Sequence, residues 1–268
     1  MMPMPQKSKL GQNFLRDQMA IQRIVASLGD LSHRTVVEIG PGKGAITELL
    51  APRAAHLIAI ELDPALASDL ESQFQSAPNV SIQRQDVLAF DFAAAARAAG
   101  HPLLVIGNLP YYITSPILSR LANFAAAIDL AILMVQREVA DRITAQPHSR
   151  DYGLLTVTTQ IYGPATSLFT LPPTAFVPPP EVHSTVFRWA FRPRFDELQV
   201  QERPFLALLK QCFAQKRKTL SNNLRAAGHH PATIAPALAQ ANIAPHSRAE
   251  ELTLEQFAAL QQSLLPKS

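Results

Sequence analysis

The chain has 268 residues, enough for one large hydrophobic core plus a smaller appendage, and its 47% hydrophobic and 17% charged residues are those of a globular protein. No apolar run approaches the roughly 20 residues that cross a bilayer, and "MMPMPQKSKLGQNFL" lacks the apolar core of a secretory signal. A single cysteine, Cys212, excludes an internal disulfide and a multi-cysteine zinc site, so a reducing cytoplasm is the expected compartment, while the net charge of +3 by itself decides nothing about nucleic acid.

In chain order, Leu15, Met19, Ile21, Ile24, Val25 and Leu28 recur at helical spacing with Gly29 as a stop, which predicts a helix within 15–29. "TVVEIG" (35–40) reads as a short buried strand running into "PGKGAITELLAP", a glycine-rich turn that opens a helix. "HLIAIELD" (56–63) is a second strand and "PALASDLESQFQ" a second helix. "VSIQRQDV" (80–87) is a third strand, an Ala-rich helix covers 93–99, and "LLVIGN" (103–108) is a fourth strand. "SPILSRLANF" (115–124) is helical, and "LAILMVQREVADRI" (130–143) starts as a strand and turns helical. Strands alternating with helices imply right-handed crossovers, hence an α/β fold with a mostly parallel, doubly wound sheet. Residues 153–191 differ: seven of the 22 prolines lie from Pro164 to Pro193 between β-branched runs, which predicts edge strands around a stiff loop. Beyond 195 the pattern is helical, and Thr253 with Gln256 forms a capping-box pair. The expected domains are therefore 1–195, with 1–30 as an N-terminal lid and helix, and a small helical domain over 196–268.

Four strand ends carry polar groups of the right kind for a nucleotide. Gly40 and Gly42 allow a tight backbone turn against a ligand. Glu61, 21 residues past Gly40, can accept both hydroxyls of a ribose. Asp86 can accept from an adenine amino group, although an Asp there also fits a turn former or cap. Asn108 closes the fourth strand, and in an open parallel sheet such ends line the ligand crevice. Up to Glu61 the pattern does not separate a nicotinamide cofactor from S-adenosylmethionine. "NLPYY" adds chemistry: the Asn108 side-chain oxygen and the carbonyl of Leu109 or Pro110 can accept both N–H bonds of an exocyclic amine and free its lone pair for attack. Tyr111 can then stack on the flipped-out base. Between Arg188 and Arg225 nine Lys and Arg stand against three acids, a net of +6 that leaves −3 elsewhere, which suits either a polyanion contact or a solvated helix face.

Asn-Leu-Pro-Tyr after the fourth strand resembles the signature of amino-group methyltransferases that use S-adenosylmethionine. More narrowly, "GQNFL", "EIGPGKGAIT", "IELD", "QDV", "GNLPYYITSPIL", "MVQREVADRI", "FVPPPEVHS" and "KRKTLSNNL" together resemble the ribosomal RNA adenine N6-dimethyltransferases, most closely their KsgA (RsmA) group, over nearly the whole chain and in order. The resemblance implies a Rossmann-like S-adenosylmethionine-dependent methyltransferase fold with a small all-α C-terminal domain. It implies cofactor contacts at Asn13, Leu15, Gly40, Glu61, Asp86 and Asn108, and places Phe176 as a second wall of the base pocket opposite Tyr111. It also implies that two adjacent adenosines near the 3′ end of small-subunit (16S) RNA each receive two methyl groups. The partner is then small-subunit RNA or a 30S-type particle, contacted through Lys216, Arg217 and Lys218, with no metal, no membrane and a monomeric enzyme.

Two positions depart from the family pattern: Glu181 and Ser221 stand where basic residues are usual, which weakens phosphate binding at those two places. Cys212, between Leu209 and Phe213, reads as a packed thiol, and Tyr112 has no assigned task. The alternatives are the sister group that methylates a large-subunit (23S) adenine and confers antibiotic resistance, a nicotinamide oxidoreductase, and a ribosome-assembly binding factor. The oxidoreductase leaves Asn108 to Tyr111 and the basic block without a purpose.

Overall fold

The structure is a computed structural model that describes residues 13–264. The chain divides into two compact units, Met1–Ala140 with Thr166–Phe191, and Asp141–Ala165 with Arg192–Ser268.

The first unit is built on a sheet. After β1 (Phe14–Leu15), Asp17 caps α1 (Gln18–Ala26) by accepting the Ala20 N–H at 3.0 Å, and α1 buries Ala20, Ile21, Ile24 and Val25. β2 (Thr35–Ile39) is buried at every residue. The glycine turn after it opens into α2 (Thr47–Leu50), a single helical turn, as the sequence pattern predicts a helix there. β3 (His56–Glu61) leads to α3 (Pro64–Gln73), where Asp63 is the N-cap and Pro64 takes the first helical position, which needs no N–H. β4 (Val80–Arg84), α4 (Phe92–Ala99), β5 (Leu103–Asn108), α5 (Thr114–Asn123) and β6 (Ile128–Gln136) continue the alternation, and α6 (Arg137–Ile143) crosses into the second unit.

α7 (Leu154–Gln160) corrects the extended reading of residues 153–160. Its β-branched residues are accommodated because Thr158 Oγ1 donates back to the Leu154 carbonyl at 2.7 Å while Thr156, Val157 and Thr159 are buried. β7 (Ala165–Leu171), β8 (Phe176–Val177) and β9 (Ser184–Ala190) complete the strands.

The seven-stranded sheet has the order β4-β3-β2-β5-β6-β9-β7. β2 to β6 pair in parallel, and β9 lies antiparallel to β6 with Leu133 opposite Phe187. Of the two proline-flanked strands, only β7 is at the edge; β9 is interior, since its own prolines lie in the loops at either end. β1 and β8 form a separate two-stranded ribbon that pairs Leu15 with Phe176. Leu15, Ile21, Val36, Leu104, Ile132 and Phe176 share one core cluster.

The second unit holds α8 (Glu202–Cys212), α9 (Leu220–Ala226), α10 (Pro231–Gln240) and α11 (Leu254–Leu264). Phe205, Leu209, Leu224, Phe257 and Leu260 are buried among them. The segment 141–165 belongs here, not with the sheet as a boundary at 195 has it, because its aromatics bond to α8 and to the turn before α11. The Tyr152 hydroxyl donates to the Leu252 carbonyl at 2.7 Å and the Tyr162 hydroxyl to Glu202 at 2.6 Å. The Thr253–Gln256 capping box forms as the sequence predicts, the Thr253 N–H donating to Gln256 Oε1 at 3.1 Å and the Gln256 N–H to Thr253 Oγ1 at 3.3 Å. Cys212 is buried, and burial pushes its thiol up to about 12, which suits packing and not nucleophilic chemistry. Among the described residues no helix is long and apolar enough to cross a membrane.

Candidate active site

The chain runs from β2 through β3 to β4 on one side of the sheet and from β5 to β6 on the other, so its direction reverses between β2 and β5. Loops leaving the carboxyl ends of those two strands part there and open a crevice. Two cavities occupy it, of about 120 Å³ and about 60 Å³, and Gly40, Glu61 and Pro110 line both.

Gly40 and Gly42 have φ of +65° and +60°, backbone that favours glycine, and a Cβ on Gly42 would stand 3.0 Å from the Phe14 ring. This turn aims its N–H groups at the end of β3. The Gly42 N–H donates to Glu61 Oε2 at 3.1 Å and the Asp63 N–H to Glu61 Oε1 at 2.9 Å, so the buried carboxylate is fixed with one lone pair per oxygen unspent. Asp86 lies just past β4 on the wall of the smaller cavity. Its Oδ1 accepts the Leu88 N–H at 2.9 Å, so it serves as a turn former while lining the cavity.

At the end of β5 the amide of Asn108 is oriented by the N-terminal segment: Nδ2 donates to the Asn13 carbonyl at 3.1 Å, which leaves Oδ1 as an acceptor. The Leu109 N–H is tied to the Met134 carbonyl at 3.0 Å. The Pro110 carbonyl already accepts from the Ile113 N–H at 3.2 Å and from Thr114 Oγ1 at 3.1 Å. Of the two backbone acceptors the sequence leaves open, Leu109 is therefore the one with capacity. The Tyr111 hydroxyl meets Ser184 Oγ at 2.8 Å, and burial pushes that hydroxyl up, so it stays protonated.

The larger cavity thus gathers Asn13, Leu15, Gly40, Gly42, Glu61, Asn108, Leu109, Pro110 and Tyr111, and the smaller one adds Asp86. Phe176 is not among the lining residues. Its side chain is buried in the core cluster together with Leu15, its partner across the β1–β8 ribbon. Lys216, Arg217 and Lys218 are exposed between α8 and α9 of the second unit. Gly11 and Gln12 of the "GQNFL" motif lie outside the described residues.

One residue escaped the sequence reading. Glu38, inside β2, lines the larger cavity and accepts from Thr47 Oγ1 at 2.7 Å. Burial, aided by the nearby Glu61 charge, pushes its carboxyl up to about 8 against the pull of that hydrogen bond. An acid within the otherwise apolar "TVVEIG" was the available signal. The folded protein holds this proton to about pH 8, whereas an ordinary glutamate releases it near 4.5, so Glu38 costs stability as pH rises through that window. Glu38→Gln, which keeps the acceptor for Thr47, is expected to melt with the wild type near pH 4.5 and increasingly above it toward pH 8. Each kcal/mol gained raises Tm by about 2–4 °C at this chain length. Thermal melts across the range check it.

A doubly wound sheet of this order, with a carboxylate and an Asn-Leu-Pro-Tyr turn at its switch point and a helical second unit, defines a Rossmann-like methyltransferase. The family described as ribosomal RNA adenine dimethylase matches residues 4–265, and the chain belongs to it. The ribosomal RNA small subunit methyltransferase A of Acidobacterium capsulatum is 58% identical over 98% of this chain and 92% of its own. Among solved structures, the 23S rRNA methyltransferase ErmE superposes with a TM-score of 0.72 at 26% identity, covering 94% of this chain and 99% of that one. A dimethyladenosine transferase from Plasmodium falciparum reaches 0.76 at 22% identity, covering 92% and 95%. The fold is therefore shared with a 23S rRNA methyltransferase and with a dimethyladenosine transferase.

Proposed function

We propose that the chain is a cytoplasmic, monomeric enzyme that moves methyl groups from S-adenosylmethionine to N6 of two adjacent adenosines near the 3′ end of small-subunit rRNA, acting on a 30S-type particle and requiring no metal. The observation that carries the reading is the pair of acceptors at the end of β5, Asn108 Oδ1 and the Leu109 carbonyl, set on the rim of the crevice that holds Glu61. The 58% identity to a small-subunit enzyme supports that target over the large-subunit one.

The residues present fit the methyl donor. Glu61 offers one free lone pair on each oxygen to a pair of ribose hydroxyls, and Asp86 offers Oδ2 to an adenine amino group. Val87, Ile60 and Ile117 give the smaller cavity an apolar floor for a flat ring. Bound there, S-adenosylmethionine supplies an electrophilic methyl group on a sulfonium. The protein's share is to prepare the nucleophile. Asn108 and Leu109 accept the two N–H bonds of the adenine amine, which draws its lone pair out of the ring. Tyr111 holds the base by stacking, its own tilt set by Ser184. Asn108 is neutral, and this suffices because the amine becomes acidic only after attack. Positioning and polarisation account for the rate, with no covalent enzyme intermediate.

The test is transfer of labelled methyl to unmethylated small subunits, large subunits and free RNA in parallel. Incorporation into small subunits as dimethyladenosine is expected. Incorporation only into large-subunit RNA would overturn the target, and no incorporation despite retained RNA binding would favour an assembly factor.

A further inference from the structure

Tyr112 is left without a task by the mechanism above. It is the one aromatic among the exposed large apolar side chains of the described residues, at 60% exposure. A tyrosine ring so open contributes little to folding. Yet it does not face bulk solvent alone, for it lines the smaller cavity together with Asp86, Val87 and Ile117. Leu62, 48% exposed, lines the same cavity. The two side chains reach it from either side of β2, since Leu62 follows β3 and Tyr112 follows β5 in the order β4-β3-β2-β5.

Local backbone explains how adjacent tyrosines serve adjacent cavities. Residues Tyr111–Ile113 form one turn of 3-10 helix, closed by the Ile113 N–H on the Pro110 carbonyl. With about three residues per turn, successive side chains point about 120° apart. Tyr111 turns to Ser184 and the larger cavity, and Tyr112 to the smaller one.

We propose that Tyr112 folds over the purine of the methyl donor in the smaller cavity, with Leu62 on the other side, so that Tyr111 stacks the acceptor base and Tyr112 the donor base. This rests on the proposed function, which supplies a purine to that cavity. A ring that is open on its rim and not anchored into the core can close after the purine enters, which suits a group released at every turnover.

The probes are S-adenosylhomocysteine and 5′-methylthioadenosine, which lacks the amino acid, with binding measured by calorimetry. Tyr112→Ala is expected to weaken both about tenfold, within the range of base–aromatic stacking. Tyr112→Phe keeps the ring and is expected to restore the affinity. KM for RNA is expected to stay put in both variants, and Tyr112→Trp is expected to gain an emission that is quenched by either probe. Equal binding by Tyr112→Ala and the wild type would overturn the inference while leaving the methyltransferase reading intact. A raised KM for RNA with intact cofactor affinity would also overturn it, assigning the ring to a neighbouring nucleotide. Failure of the wild type itself to bind S-adenosylhomocysteine would instead bring down the proposed function.

Discussion

Asn108→Ala is expected to lower kcat for methyl transfer by about 10²–10³-fold, the loss measured when one preorganised polar group is taken from a transition state. S-adenosylhomocysteine affinity is expected to fall far less. The asymmetry follows from geometry. The amide is gripped through Nδ2 by the Asn13 carbonyl, so its oxygen is presented to the crevice in a fixed direction. Alanine removes that acceptor and leaves the Leu109 carbonyl to accept alone, so the amine keeps one N–H in conjugation with the ring. Glu61 and Asp86, the residues proposed to hold the donor molecule, are untouched. Asn108→Asp is expected to be nearly as damaging, because a carboxylate cannot donate to the Asn13 carbonyl and is turned away from it. Single-turnover transfer at saturating RNA and methyl donor separates this loss from weaker binding, and a fully active Asn108→Ala enzyme would refute polarisation.

Much of this crevice was legible because several of its residues announce themselves by position, Glu38 being the exception. Glu61 and Asn108 end apolar strands, where a polar group has no packing reason to be, Asp86 follows the more polar β4, and a parallel sheet gathers such ends. The helical domain was legible through periodicity and through Thr253 and Gln256. What was not legible depends on hydrogen bonds and packing that only the folded chain reveals. The run 153–160 looks extended by composition and is helical because Thr158 bonds its own backbone and its neighbours are buried. The choice between the Leu109 and Pro110 carbonyls required knowing that Ile113 and Thr114 spend the second. Phe176 was read as a pocket wall from its motif, whereas its ring is buried in the core cluster with Leu15, its partner across the β1–β8 ribbon, a contact between residues far apart in the chain.

Replacing Lys216, Arg217 and Lys218 together by glutamine is expected to weaken RNA binding on the order of 10²-fold, at about 1 kcal/mol for each phosphate left without its cation. The slope of log affinity against log salt is expected to shrink by about 2–3, since each neutralised phosphate contributes about 0.7–0.9. Cofactor affinity is expected not to change, because every residue assigned to the donor lies in the first unit. The three cations stand on a turn that is built to stay in place. Asn223, buried in α9, accepts the Gln215 N–H at 3.1 Å and donates to the Cys212 carbonyl at 2.8 Å, while the Lys218 N–H closes on the Gln215 carbonyl at 3.1 Å. Thr219 then caps α9 through the Asn222 N–H at 3.3 Å. The "KRKTLSNNL" segment therefore divides its labour: Thr219 and Asn223 hold the loop, while the three cations stay exposed, Lys216 reaching the Arg150 carbonyl at 3.5 Å. Filter binding across a salt series with small-subunit RNA distinguishes the cases, since purely structural cations would leave the slope unchanged.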